Sequence, residues 1–339
     1  MIWEKGFSAS YYATYVDPAT WRDTEQLEII SGSISRADSA LRASADVTCR
    51  AYDPAQERWI RLYLVAKQGD TSEHVALFTG LATSPEININ GNIKEYPLQC
   101  YSVLKPAEDV FLDRGYYVPA GASGADTIAR LLAICPCPIE TGEASPTLSQ
   151  AIIAEESETH LSMVEKILTA IGWRLRILGD GTVQILPPAE DANVVFGIDQ
   201  NDMIEPSISL SHDWFECPNC FRAISGTASA VAKDESPASP FSVINRGREV
   251  WAQETSADLS NDESVAEYAQ RKLIEAQAQY IAVKYARRFI PDLQVGDLVR
   301  LRYPAQGIDG LYKIDAQSIS LSFGARTEEE VSHGHRENS

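Results

Sequence analysis

Two cysteines separated by two residues, Cys217 and Cys220 in the segment CPNC, are the pattern in this chain that most suggests metal chemistry. A tetrahedral zinc site takes four thiolate, imidazole or carboxylate ligands, and a CxxC pair supplies two of them. A second ligand pair of comparable spacing is missing. Cys135 and Cys137 form a CxC that is distant in sequence, and His212 is the only nearby imidazole. We therefore predict no bound metal and no cofactor. The favoured interpretation is that Cys217 and Cys220 are inert, half-buried strand thiols, and a zinc site formed with these two cysteines is the alternative.

No other group of residues has the spacing of a catalytic site. The histidines are scattered, and none stands beside a serine, aspartate or cysteine in a recognisable nucleophile motif. The carboxylates fall in surface-like runs such as 328–330, and no GxGxxG or GK[ST] loop is present to hold a phosphate. A hidden acid–base pair is the alternative to a solvated face. The sequence predicts a protein that is not an enzyme.

The charge balance bears on which partners the protein can have. The 339 residues carry a net charge of -19, and a protein that grips DNA or anionic lipid needs surplus lysine and arginine instead. The sequence has no signal peptide and no apolar stretch long enough for a membrane span. Six cysteines are too few for a disulfide scaffold, so thiols in a reducing cytoplasm are expected.

The elements that position these residues fall into three regions. Residues 1–105 contain about six short strand patterns, including a hairpin at Asn90-Gly91, which favours a closed or nearly closed β-barrel or a sandwich. Residues 106–205 read as an α+β unit, with a helix capped by Ser123, a second helix over about 159–171 that ends at Gly172, and a hairpin over 173–187.

The last region, residues 206–325, returns to strands and contains one long helix over about 261–280, capped by Asn261 or Asp262. Its clearest feature is the hairpin Asp292–Ala325. Leu298, Arg300 and Arg302 alternate there with Val299, Leu301 and Tyr303, which predicts one buried and one exposed face. Residues 326–339 are charged and without periodicity, which predicts a flexible tail.

Ordered motifs along nearly the whole chain resemble one known family. The first third has YVDP at 15–18, ISR at 34–36 and LFTG at 77–80; the middle has GYYVPAGASGADTIARLL at 115–132; the last third has GDLV at 296–299 and GLYKI at 310–314. In this order they are similar to the baseplate hub proteins of tailed phages, the family that includes the late-control D-type proteins.

The resemblance implies a mainly β, α+β fold with two tail-tube-like β-barrel domains, 1–105 and 206–325, around an α+β domain. It also implies a homotrimer in the virion that adapts a six-fold tail tube to a three-fold spike or fibre. Partners would be a tail tube or distal tail protein and a spike or fibre protein, with DNA passing through the lumen without specific binding. Arg300 and Arg302 are the interface candidates. The chain departs from some relatives in lacking an appended lysozyme-like domain or a needle-like β-helix.

Two other function classes stay open. A β-rich tail module that binds carbohydrate or a receptor would need exposed tryptophans, but the tryptophans do not cluster in sequence. A cell-wall hydrolase would need an active site that has no recognisable motif in this chain.

Overall fold

The computed structural model describes residues 1–3, 5–38, 42–83, 86–142, 145–189, 192–197, 204–212, 214–215, 217–255, 264–278, 281–304 and 307–333. It is mainly β, which confirms that part of the predicted fold class. The possible caps Asn261 and Asp262 lie outside the described residues, and so does the last part of the chain, 334–339. No helix among the described residues is long and apolar enough to cross a membrane.

The first third of the chain pairs into a ring of strands. Its strands are β1 (Ser8–Asp17), β2 (Arg22–Ala37), β3 (Arg42–Cys49), β4 (Arg58–Gln68), β5 (Thr71–Thr83), the short β6 (Asn88–Asn90) and β7 (Ile93–Ser102). Antiparallel pairing runs β1-β4-β5-β7-β3-β2 and returns from β2 to β1. Alternate residues such as Ile34, Ile60 and Leu62 fill its interior and are fully buried. Closure leaves these six strands without a free edge.

The middle third is a small α+β unit. Its elements are α1 (Lys105–Asp109), β8 (Tyr117–Val118), α2 (Gly124–Leu132), β9 (Ile139–Thr141), β10 (Ile152–Ile153), α3 (His160–Ile171), β11 (Arg174–Ile177) and β12 (Val183–Leu186). Ser123 caps α2 by accepting from the Asp126 amide, as predicted, and Gly172 ends α3 in the left-handed conformation that favours glycine. The apolar sides of α2 and α3 pack together in one core with the β11–β12 hairpin.

The last third contains β13 (Ala192–Gly197), β14 (Ile204–His212), β15 (Cys220–Ser225), β16 (Ala228–Lys233), α4 (Val243–Arg246), β17 (Trp251–Thr255), α5 (Val265–Ala278), β18 (Ile281–Arg287), β19 (Leu298–Tyr303), β20 (Ile308–Ser320) and β21 (Thr327–His333). The long helix and the hairpin of β19 and β20 are both where the sequence predicts them. Ser264 and Glu267 exchange hydrogen bonds in the first turn of α5, which is a capping box.

One large sheet joins the first and last thirds. Strands pair in the order β13-β19-β20-β21-β18-β14, and β20 also pairs with β2 along Ser33–Ala37. Among the described residues no pairing closes β13 onto β14, so a second barrel stays a prediction. The domain boundaries near residues 105, 205 and 325 also stay predictions.

The segment β15–β17 does not belong to the large sheet. It forms a separate three-stranded sheet in the order β16-β15-β17, and α5 covers one of its faces. Phe221, Tyr268 and Leu273 lie in the core between helix and sheet. The predicted second β unit therefore contains an inserted αβ layer with its own core.

The predicted flexible tail is wrong for residues 327–333. These residues form β21, which pairs with β18 on one side and β20 on the other. Thr327, Glu329 and Val331 are buried, whereas Glu328 is exposed. The period-two pattern was hidden because three successive glutamates occupy both the inward and outward positions.

Candidate functional site

The predicted zinc candidates lie in a small buried region beside the separate sheet. Cys217 packs against Phe241, and Cys220 begins β15 between Lys233 and Trp251 of the neighbouring strands. Neither cysteine forms a disulfide, both are buried, and burial raises the pKa of Cys220. In the part of the chain that the structure describes, no three His, Cys, Asp or Glu side chains are grouped to hold a metal.

The predicted interface residues lie on β19. Val299, Leu301 and Tyr303 are buried, Arg300 is half-buried and Arg302 is exposed, so the expected alternation is present. Leu298, expected on the outer face with the arginines, is buried. The outer face of this short strand therefore presents Arg302 and part of Arg300.

A hairpin tip fastens the middle unit to the first ring. The Trp21 indole and the Arg61 guanidinium each donate to the Asp180 carbonyl at 2.9 Å, and the Thr79 hydroxyl donates to the Gly179 carbonyl at 2.8 Å. Arg61 is buried and also donates to an Asp23 carboxylate oxygen at 2.7 Å. The Asp180 carbonyl of the hairpin thus accepts a hydrogen bond from a buried arginine of the ring.

The close approach of this tip depends on glycine. A Cβ atom on Gly179 would lie 1.8 Å from the Ala76 carbonyl oxygen of β5. The sequence shows Gly179-Asp180-Gly181 as a turn signal, but the contact with β5 spans about a hundred residues and has no local signature.

A second junction, between the first ring and the last third, is a buried polar network. Glu329 accepts two hydrogen bonds from Arg287, the one from Nε at 2.9 Å, and both side chains are fully buried. The Gln317 amide donates to Glu329 at 2.9 Å, and its carbonyl oxygen accepts from Arg36 at 2.9 Å. Arg36 also donates to the Leu77 carbonyl. The network therefore joins β2, β5, β18, β20 and β21.

The third junction links the middle unit to the start of β19. The buried Asp297 carboxylate lies 3.1 Å from Arg174 and 3.4 Å from Arg176, both on β11. Asp297 also accepts from the Gln294 amide at 3.0 Å. The sequence gives no sign that Asp297 is an ionic anchor, because β11 is more than a hundred residues away.

A groove of about 540 Å³ lies on the face of the large sheet where the first and last thirds meet. Small and charged side chains form two cross-strand rows along it. One row is Ser44, Ser35, Ser318, Glu328 and Ala286, and the other is Ala37, Ala316, Glu330, Lys284 and Ser209. Serine and alanine side chains keep part of the groove open, while Glu328, Glu330 and Lys284 give it charge.

The separate sheet leaves one face exposed opposite α5. Trp251 is 44% exposed on that face, with Arg222 and Lys233 at 5.2 and 5.4 Å from its ring centre. Its indole N–H donates to Glu249 at 2.9 Å, and Val231 lies exposed on β16. This face combines an exposed indole with two cationic side chains, Arg222 and Lys233, of which Lys233 pairs with Glu249 at 2.6 Å.

Two further surfaces are apolar and exposed. Ile87, Ile89 and Ile93 lie on or beside the β6–β7 hairpin and are each about half exposed or more. Tyr117 and Ile153 are direct cross-strand partners on β8 and β10, and both are mostly exposed. Exposed apolar side chains that lie next to one another can form part of a contact surface. The segment EININGNI carries a signal for the first of these, since isoleucines alternate there with polar residues.

Comparisons with known proteins agree with this architecture. No family model matches the chain, and no curated protein matches its sequence. A tail protein from Neisseria meningitidis MC58 is 16% identical, with 97% of both chains covered and a TM-score of 0.68. The 43 kDa tail protein of prophage MuSo2 from Shewanella oneidensis is 12% identical, with 96% of this chain and 98% of that chain covered and a TM-score of 0.68.

A third solved structure is prophage tail protein gp18 from Listeria monocytogenes EGD-e. It is 13% identical, with 96% of this chain and 95% of that chain covered and a TM-score of 0.55. The resemblance seen in the sequence motifs is thereby confirmed at the level of the fold. The chain has the fold of these phage tail proteins.

Proposed function

We propose that this chain is a structural protein of a phage virion, a homotrimeric hub at the baseplate or tail tip. The observation that carries the proposal is the match of nearly the entire chain to tail proteins at a TM-score of 0.68. A match of this extent includes the ring, the middle unit and the last third together, so it concerns the whole arrangement and not one common β motif.

The strand pairings support a tube-like role for two parts of the chain. Six strands pair as a closed ring, and six more pair in series and continue the same sheet through β20. Two such units per chain give six units in a trimer, which is the number needed to meet a six-fold tail tube. The opposite side of the trimer keeps three-fold symmetry and suits a spike or fibre protein.

The three polar junctions support a rigid hub. Each one fixes a different pair of regions through buried or partly buried arginines, so the regions are held at defined angles to one another. A protein that transmits the symmetry of one assembly to another needs such fixed angles. The residues at these junctions have structural roles in this account and no catalytic one.

The acidic charge of the chain suits a channel through which DNA passes. A net charge of -19 would repel the phosphate backbone, so a lumen walled by this protein would let DNA slide without binding. We place the protein in the tail, after synthesis in the host cytoplasm, next to a tail tube or distal tail protein. A three-fold reconstruction of the particle tests this, and a neutral or basic channel wall would contradict the sliding role.

The exposed Trp251 face favours one second candidate, a carbohydrate- or receptor-binding tail module. An exposed indole flanked by hydrogen-bonding side chains is a surface on which a sugar ring can stack. A glycan array with the wild type and Trp251→Ala tests it. Binding that is lost in the variant would favour the module, and absence of binding at high protein concentration would favour the hub alone.

A further inference from the structure

Positive charge is concentrated where the first ring, the middle unit and the last third meet. Four arginines, Arg36, Arg174, Arg176 and Arg287, take part in the second and third junctions, whereas Glu329 and Asp297 are the two carboxylates that pair with them. Among these six side chains the arginines outnumber the carboxylates by two, in a chain whose net charge is -19. Arg36 is half-buried and the Arg176 side chain is 18% exposed, and a charge partly withdrawn from water without a counter-ion costs free energy.

The excess belongs to Arg36 and Arg176. Glu329 pairs with Arg287 at two points, and Arg174 is the closer partner of Asp297. Arg36 has no carboxylate within ion-pair distance among the described residues; it donates to the Gln317 side chain and to the Leu77 carbonyl. Burial, with Arg176 and Arg287 nearby, lowers the pKa of Arg36 to about 10. A neutral amide and a carbonyl do not offset its charge.

The two arginines share a small cavity. A space of about 50 Å³ is lined by Arg36, Asp38, Arg176 and Gln294, with Leu175 and Val295 among its apolar walls. A single water needs roughly 10–15 Å³ of such space, so the cavity can hold a monatomic ion with a neighbouring water. Asp38 is the carboxylate on the described part of this wall, and it forms an ion pair with Lys313.

Arg176 has a donor left for a guest in this cavity. Its Nη2 donates to the Asp292 carbonyl at 2.6 Å, and that same nitrogen lies 3.4 Å from Asp297. Its Nε is buried and has no hydrogen-bond partner among the described residues. A buried guanidinium N–H without an acceptor costs the full desolvation of that group, so an acceptor in the cavity would be stabilising.

We propose that the cavity between Arg36 and Arg176 binds a small monovalent anion, of which chloride is the type. The anion supplies the missing negative charge at the meeting point of three regions and an acceptor for the Arg176 Nε. The volume of the cavity limits the size of the anion, so halides fit and bulky organic anions do not. The inference goes beyond the proposed hub and does not depend on it, because it concerns how one chain is held together.

Thermal unfolding of the full-length protein tests the site. Sodium gluconate is exchanged for sodium chloride at constant ionic strength, so that general screening stays fixed. A ligand that binds only the folded state raises the melting temperature with its concentration, and a rise of roughly 2 °C that saturates is expected. Arg36→Gln and Arg176→Gln should each remove this chloride-dependent rise. Arg50→Gln removes the same charge at a position where the side chain is 56% exposed, and it should keep the rise.

The readout is the shift between the two salts, so a general loss of stability in a variant does not obscure it. If Arg36→Gln and Arg176→Gln do not fold, crystals of the wild type grown in bromide give an independent answer. An anomalous bromide peak between the two guanidinium groups is expected. The proposal is overturned by a wild type that melts at the same temperature in both salts, by equal shifts in all variants, or by bromide crystals without that peak.

Discussion

Arg287 of β18 and Glu329 of β21 form a two-point ion pair whose side chains are both fully excluded from solvent. Glu329 also accepts from Gln317, which in turn accepts from Arg36 of β2. The pair therefore ends a chain of hydrogen bonds that connects the last third of the protein to the first ring. Removing one partner would leave the other charged and buried.

We expect Glu329→Gln to reduce the free energy of unfolding by about 3–5 kcal/mol, because it leaves the Arg287 guanidinium without a counter-charge. The matched control is Glu328→Gln on the same strand, whose side chain is 60% exposed and pairs with Arg326. That exposed change should cost less than about 1 kcal/mol. Urea unfolding measures both, and equal losses for the two variants would show that burial of the pair is irrelevant.

A substitution at the tip of the β11–β12 hairpin should also destabilise the protein strongly. Gly179→Ala places a methyl group where the Ala76 carbonyl oxygen lies, so the tip must withdraw from β5 and the hydrogen bonds from Trp21, Arg61 and Thr79 must lengthen. We expect a loss of several kcal/mol in unfolding free energy, on the order of an overpacked core site. Gly6→Ala is the control, since its Cβ meets nothing within 4 Å. If Gly179→Ala unfolds like the wild type, the hairpin is not docked as described.

The two faces of the β19–β20 hairpin should respond in opposite ways. Leu301 and Ile319 are fully buried in different cores, so Leu301→Asp or Ile319→Asp buries an unpaired charge and is expected to prevent folding. Circular dichroism and soluble yield measure this. A well-folded Leu301→Asp protein would mean that the hairpin faces were assigned to the wrong sides.

On the outer face, Arg302→Glu should leave the monomer folded, because the side chain is exposed. We expect it to weaken assembly if this face contacts a neighbouring chain, since charge reversal at a protein interface opposes association. Analytical ultracentrifugation compares the variant with the wild type. Unchanged assembly together with unchanged folding would remove Arg302 from the interface.

We expect Asp315 on β20 to make the stability of the folded protein depend on pH. Burial raises its pKa above the ordinary value. The folded state therefore keeps this proton to a higher pH than the unfolded state, so stability falls as pH rises through the interval between the two pKa values and stays lower above it. Asp315→Asn cannot ionise, and it should be more stable than the wild type near pH 7 and no more stable near roughly pH 3. A variant less stable than the wild type near pH 7 would contradict this.

Many helices, strands and turns could be predicted from local patterns in the sequence. Ser123 caps a helix, Gly172 ends one, and Asn90-Gly91 turns a hairpin because each feature depends on backbone conformations within a few residues. Pairings between distant segments could not be predicted in this way. Ile34 meets Ile319 across nearly the whole chain, and such contacts depend on the completed sheet.

The buried polar residues of the junctions could not be predicted from the sequence. Glu329 lies between two other glutamates, and residue type alone cannot show which of the three points inward. In the sequence, Arg36 is part of the family-like motif ISR. That it lies near Arg176 and Arg287 follows only from the packing of β2, β11 and β18, which the sequence does not show. The exposed Trp251 face was likewise hidden, because tryptophans that are far apart in sequence say little about exposure.

The central claim, a homotrimeric hub, is tested most directly by the mass and symmetry of the purified full-length protein. Light scattering after size exclusion, followed by electron microscopy of the same peak, gives both. We predict a particle of three times the 37.3 kDa chain with a three-fold ring and an open centre. A stable 37.3 kDa monomer over the whole accessible concentration range, with no ring-shaped particles, would contradict the account.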